Sequence, residues 1–212
     1  MNRWLDIVAK VLSVVFYPLF IPTYGLILFC WAHAQHIAPL NSVWTGVAIA
    51  GTLILTCFLP ISSIWIMMKR GDVKDLQIPD RQQRTMPYFY SFLGFVFWCY
   101  LLASILHAPL FLSFIAIGGT IAISLVMLIN RYWKISAHLT GIGGLVGGIM
   151  TYCLGIGAIP TWGTLIGWML LSLVMMFARL RLDAHTPAQV CAGWLTGIAC
   201  TFLPYCIYSY VA

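Results

Sequence analysis

Polar residues come in short bursts along this chain, and long apolar runs separate them. A helix needs about 20 consecutive apolar residues to cross a bilayer. The runs predict seven spans, at 11–32, 43–68, 87–107, 109–130, 135–157, 160–178 and 186–211. Pro18 and Pro22 are expected to bend the first, and residues 1–10 read as a short amphipathic start lying on the membrane surface. Ala32-His33-Ala34 has the look of a signal-peptidase site, but the run before it is longer than a signal core, so it reads as part of a retained helix.

Composition agrees with this pattern. Of 212 residues, 62% are hydrophobic and 8% charged, with a mean hydropathy of +0.96, whereas soluble domains carry about 25% charged residues. The expected fold is all-α: one polytopic membrane bundle over 1–212, with about seven transmembrane helices and six as the lower count. The seven cysteines lie scattered in apolar runs without zinc-type spacing and read as small apolar fillers. The net charge of +6 reads as membrane topology and not as a nucleic-acid surface.

Placing the charges sharpens the topology. With seven spans, all eleven Lys and Arg and all five Asp fall on one side, in the N-terminus, 69–86, 131–134 and 179–183. The opposite loops carry none. Setting aside Lys74, Arg81, Arg84 and Arg179 as candidate site residues still leaves seven basic residues against none. The positive-inside bias then puts the charged side in the cytoplasm, and the expected location is a bacterial inner membrane.

Three charged stations share that side. The first is KRGDVKDLQIPDRQQRTMP (69–87), with Lys74, Arg81 and Arg84 ahead of Pro87, a residue suited to a helix start. The second is RYWKISAH (131–138), where His138 falls just inside a span and Ser136 is placed to cap it. The third is ARLRLDAHTPAQ (178–189), with Arg179, His185 and, one turn later, Gln189. Two histidines with several Arg and Lys at a membrane surface suit a phosphate monoester. Cations bind its oxygens, one histidine attacks phosphorus and the other protonates the departing oxygen. This chemistry needs no metal and no cofactor, and the near-absence of carboxylate pairs argues against a two-metal route. Gly141, Gly143, Gly144, Gly147 and Gly148, with two GxxxG spacings, read as close helix packing.

The ordered stations resemble the signature of the type 2 phosphatidic acid phosphatase superfamily, over roughly residues 69–197. That signature is Lys, six residues, Arg-Pro; then Pro-Ser-Gly-His; then Ser-Arg, five residues, His, three residues, Asp. Lys74 and Arg81 keep the first spacing, Ile135-Ser136-Ala137-His138 stands at the second, and Arg179, His185 and Gln189 keep the third. The resemblance implies that His185 is a nucleophile forming a phosphohistidine. It implies that His138 is the acid for the leaving group, that Lys74, Arg81 and Arg179 hold the phosphate, and that Ser136 donates a hydrogen bond to it. The chain departs at Gln82, Ile135, Ala137, Ala178 and Gln189. Because Pro87 follows Arg84 by three residues, Arg84 shares or takes over the part of Arg81. Gln189 replaces the aspartate, so it can fix the histidine tautomer but brings no charge.

The expected function is metal-independent hydrolysis of a lipid phosphate: phosphatidylglycerol phosphate, phosphatidylinositol phosphate, phosphatidate, or polyprenyl phosphate or diphosphate. The partners are that lipid and the bilayer. A catalytically weak member that binds or moves a lipid phosphate is the alternative. A second is a magnesium-dependent intramembrane prenyltransferase, for which Asp72, Asp75 and Asp80 supply one acidic motif.

Overall fold

The computed structural model describes residues 3–37, 40–73, 78, 80–157 and 162–211. Among these the chain forms only helices. They are α1 (Arg3–Val15), α2 (Ile21–His36), α3 (Ser42–Leu53), α4 (Leu59–Arg70), α5 (Thr85–Tyr100), α6 (Leu110–Asn130), α7 (Ala137–Gly155), α8 (Trp162–Arg181) and α9 (Pro187–Val211). A π-helical turn at Ile54–Phe58 joins α3 to α4, so Ser42–Arg70 runs unbroken, and a second at Leu101–Ile105 extends α5.

Among the described residues, six helical stretches are long and apolar enough to cross a membrane, with α1 and α2 counted together as one. The chain is thus an all-α polytopic bundle of an integral membrane protein. α8 returns the chain from the far end of α7 to the start of α9, and its twenty residues cover about 30 Å at a rise of about 1.5 Å each. Lipid-facing stripes are plain, as on α6, where Ile117, Ile121, Leu125 and Leu128 recur every three or four residues and stay exposed.

The first predicted span is corrected. Tyr17 is extended (φ −61°, ψ 135°) and Pro18 opens a 3₁₀ turn, because proline has no N–H to give and disfavours helix in the residue before it. The break therefore falls inside 11–32. α1 runs past residue 10 to Val15, and α2 takes the chain up again at Ile21 within the single membrane-length stretch Arg3–Gln35. Pro22 bends nothing, since it sits in the first turn of α2, where a missing N–H costs no hydrogen bond.

α7 is the axis of the bundle. Its most apolar window is 72% buried, against 28–33% in the other five spans. Leu139, Ile142, Leu145 and Ile149 pack with Leu26, Phe29, Trp98 and Ile115. Glycines let α9 approach its backbone: a Cβ on Gly143 would strike the Trp194 carbonyl, and one on Gly197 the Thr140 carbonyl. The GxxxG spacing is therefore packing, as expected. Buried hydroxyls add hydrogen bonds between helices, Thr151 Oγ1 to the Thr201 carbonyl at 2.7 Å and Trp98 Nε1 to Thr52 Oγ1 at 2.8 Å. The close packing sets the starts of α7 and α9 side by side, with the Ser136 N–H donating to the Gln189 carbonyl at 3.4 Å.

Candidate functional site

The turn between α8 and α9 is tied at both ends by local hydrogen bonds. Asp183 adopts the left-handed conformation (φ 48°). Its N–H donates to the Leu180 carbonyl, and the Ala184 N–H to the Arg179 carbonyl, which closes α8 in the Schellman pattern, with aspartate where glycine is usual. α9 opens on a capping box. The Gln189 N–H donates to Thr186 Oγ1 at 3.4 Å, the Thr186 N–H donates to Gln189 Oε1 at 3.1 Å, and Pro187 holds the first helical position. His185 lies between the two motifs with its backbone committed on either side.

That box also sets the histidine tautomer. His185 Nδ1 lies 3.1 Å from Gln189 Oε1. The Thr186 N–H is a donor without ambiguity, so it is the amide oxygen of Gln189 that faces it, and the same oxygen can only accept from Nδ1. The proton of neutral His185 is therefore on Nδ1, and Nε2 keeps its lone pair. Burial holds His185 down to about 4; the Gln189 hydrogen bond pulls it upward, and Arg179, Arg84 and Lys134 push it down.

His138 is fixed differently. It stands in the first turn of α7, 8% exposed, with Nε2 3.0 Å from the Ser13 carbonyl oxygen. A carbonyl only accepts, so here the proton is on Nε2. The Ser13 carbonyl is free to accept because α1 ends there: the Tyr17 N–H has turned to the Val14 carbonyl, and Pro18 has no N–H. The Ser13 hydroxyl accepts from Arg179 Nη1 at 3.0 Å and donates to the Ala9 carbonyl. Tyr17 packs edge-on against the His138 ring.

The two histidines share the wall of a cavity of about 90 Å³ with Arg84, Arg179, Tyr17 and Tyr88. Arg84 and Arg179 are 8% and 5% exposed. Arg84 Nε donates to the Ile78 carbonyl at 2.7 Å, while Arg179 Nε is buried without a partner. Among the described residues, neither is paired with a carboxylate. The single ion pair among the described residues, Arg181 with Asp6 at 2.8 Å, joins α8 to α1. Buried cations are ordinarily paired, so two unpaired guanidinium groups on one cavity make a strongly anion-seeking site. Lys134 adds to it: burial, then Arg84 and Arg179, lower its pKa, which places it in their field.

Of the residues expected at the site, His185, His138, Arg84 and Arg179 converge on the cavity, and Gln189 supports it from behind. Arg81 does not line it, because its Nη1 donates to the Arg131 carbonyl at 2.9 Å and its carbonyl accepts from Asn130 Nδ2. Ser136 is the N-cap residue of α7, but its side chain makes no capping bond. Its hydroxyl is fully buried, without a partner, and off the cavity wall. Lys74 lies outside the described residues. Sequence reasoning missed Ser13 and Tyr17, which reach the site only because the chain breaks at Pro18. It also passed over Lys134, whose position four residues before His138 was the available signal. Asp80 accepts from the Gln82 N–H, and no carboxylate among the described residues is hydrogen-bonded to His185.

Among the described residues no three His, Cys, Asp or Glu side chains gather as a metal site. Compared with known proteins, the chain matches no family model, no curated protein and no solved structure.

Proposed function

We propose that this protein is a lipid phosphate phosphatase working through a phosphohistidine, a divergent member of the type 2 phosphatidic acid phosphatase superfamily. The observation that carries the reading is the pair of buried arginines, Arg84 and Arg179, without a carboxylate partner among the described residues, on one cavity with a histidine whose Nε2 lone pair is free. The arginines hold the phosphoryl oxygens and stabilise the charge spread over them in the transition state. His185 Nε2 attacks phosphorus as the bond to the lipid oxygen breaks, and the departing oxygen takes a proton from His138, which gains its second proton once the bound phosphate dianion offsets the charge of the arginines. That proton leaves from Nδ1, since Nε2–H stays on the Ser13 carbonyl. Water then attacks the phosphohistidine and returns a proton to His138, and inorganic phosphate leaves. The charge bias favours the cytoplasmic side for this face, with a bacterial inner membrane as the proposed location.

A second reading has its own support. Gln189 brings no charge to the imidazolium side of the reaction, and a site of this kind binds a lipid phosphate without turning it over. One assay separates the two: phosphate release from a panel of lipid phosphates with EDTA present, for wild type and His185→Ala. Release by the wild type that disappears in the variant supports hydrolysis through His185. Binding without release from any lipid overturns the phosphatase reading in favour of the second.

A further inference from the structure

The cavity at the charged face has an apolar neighbour. A second cavity, of about 110 Å³, adjoins it, and Pro18, Leu19, Ile123 and Ala137 line both. The second is apolar almost throughout and lies inside the bundle, between α2, α5, α6 and α7. Its direction can be read from the helices. On α6 its wall runs from Val126, one turn from the charged end, to Leu112 near the opposite end. At a rise of about 1.5 Å per residue that is about 21 Å, longer than one leaflet's half of a hydrocarbon core about 30 Å thick. On α7 the wall likewise starts at Ala137, beside His138, and proceeds inward to Leu145.

At about 10–15 Å³ for each water-sized sphere, the space is on the order of ten such spheres, which spread over that length makes a narrow passage. Small residues create it: Gly119, Ala122, Gly141 and Gly144 all face it. A Cβ on Gly144 would meet nothing nearer than Thr201 Cγ2 at 3.6 Å. Apolar walls of this length gain dispersion contacts from a filling group of matching shape.

We infer that this passage is the tail site of the phosphate pocket, and that the ligand is a phosphate monoester carried on one long hydrocarbon chain, its tail threaded into the bundle interior while its phosphate meets Arg84 and Arg179. The inference rests on the phosphate reading of the polar cavity and narrows it. Lipids with two acyl chains have no place for the second inside the bundle, whereas polyprenyl and monoalkyl phosphates fit.

The test uses the full chain in lipid nanodiscs and hexadecyl phosphate with a photoactivatable diazirine at the tail end. Cross-links are expected on interior residues such as Leu102, Leu112 and Ile115. Excess hexadecyl phosphate should compete, and hexadecanol and dioleoyl phosphatidate should compete at least about tenfold less well. Each buried methylene changes affinity roughly fourfold, so Ala122→Leu and Gly144→Leu, which displace two or more, should each cut saturable labelling about tenfold. Labelling on the lipid-facing Ile117, Ile121 and Leu125, no saturable labelling, or equal competition by hexadecanol or by the diacyl lipid overturns the inference. Phosphate release in the same samples keeps the two claims apart. Interior labelling without release upholds the tail site and sinks hydrolysis, while release with lipid-facing labelling does the reverse.

Discussion

His185 and His138 stand at the starts of neighbouring helices and face one cavity, yet they are fixed by opposite means. His185 is held by its own neighbourhood, between a Schellman closure that ends at Ala184 and a capping box that begins at Thr186. His138 is held by a carbonyl 125 positions away, on a helix that reaches it only after the Pro18 break. The consequence is chemical as well as structural. The local support puts the His185 proton on Nδ1 and frees Nε2, and the distant support puts the His138 proton on Nε2. Two histidines with the same ordinary pKa are thereby held as different tautomers, which in the proposed reaction suits one to attack and leaves the other's Nδ1 to serve the leaving group. A motif held by local hydrogen bonds tolerates divergence elsewhere, whereas one that depends on α1 requires the whole fold.

The largest effects should come from the cations shared by both sides. Arg84→Ala and Arg179→Ala are each expected to lower kcat/KM for a lipid phosphate by about 10²–10³-fold, as loss of a transition-state charge stabiliser does. Arg81→Ala, by contrast, should stay within about threefold, since that side chain contacts the Arg131 carbonyl and not the cavity. Steady-state rates of the three variants check the pair against the bystander, and a large Arg81 effect would show that the first station acts through the other arginine.

Next comes the local support of His185. Gln189→Leu removes the acceptor that selects the tautomer and should cost about 10²-fold or more in kcat. Gln189→Glu keeps the length and adds a charge, and should raise kcat. Histidine NMR, reading which ring nitrogen carries the proton, shows whether the tautomer moved in the first variant.

Titration separates the two histidines without mutation. Burial first, and then the surrounding cations, hold His185 down to about 4, from an ordinary 6.5. The ring should therefore stay neutral, with a competent nucleophile, through pH 5. The unfolded chain takes the proton first, so stability from this group is complete above about 6.5 and is lost as pH falls toward 4. NMR titration of His185 in wild type and in Gln189→Glu measures this, and the added carboxylate should move the midpoint upward. A wild-type midpoint near 6.5 would contradict the buried, cation-rich setting.

The smallest expected effect probes the distant support. Ser13→Ala removes the hydroxyl bonded to Arg179 but leaves the carbonyl on His138. It should raise KM by about tenfold, the lower end for a hydrogen bond to a charged group, with little change in kcat. If kcat falls as much as the affinity, Ser13 supports His138 through more than its backbone.

What the sequence determined by itself is what local chemistry and solvent dictate. Runs of apolar residues too long for a soluble core imply membrane helices, and the charge distribution gathers the three stations on one face. The spacing from Arg179 to Gln189 places His185 one helical turn ahead of its acceptor. Even there TPAQ was read for the histidine alone, although it is also a capping box whose pattern stands in the sequence. Only the tertiary structure could decide which arginine faces the cavity, because Arg81 and Arg84 are three residues apart and a 3₁₀ turn sends them to different neighbours. Only packing could bring Ser13 to His138, since a backbone carbonyl leaves no mark in a sequence. The passage beside the site is likewise a property of packing: it is the space left where glycine and alanine on different helices happen to face one another, and no single helix contains it.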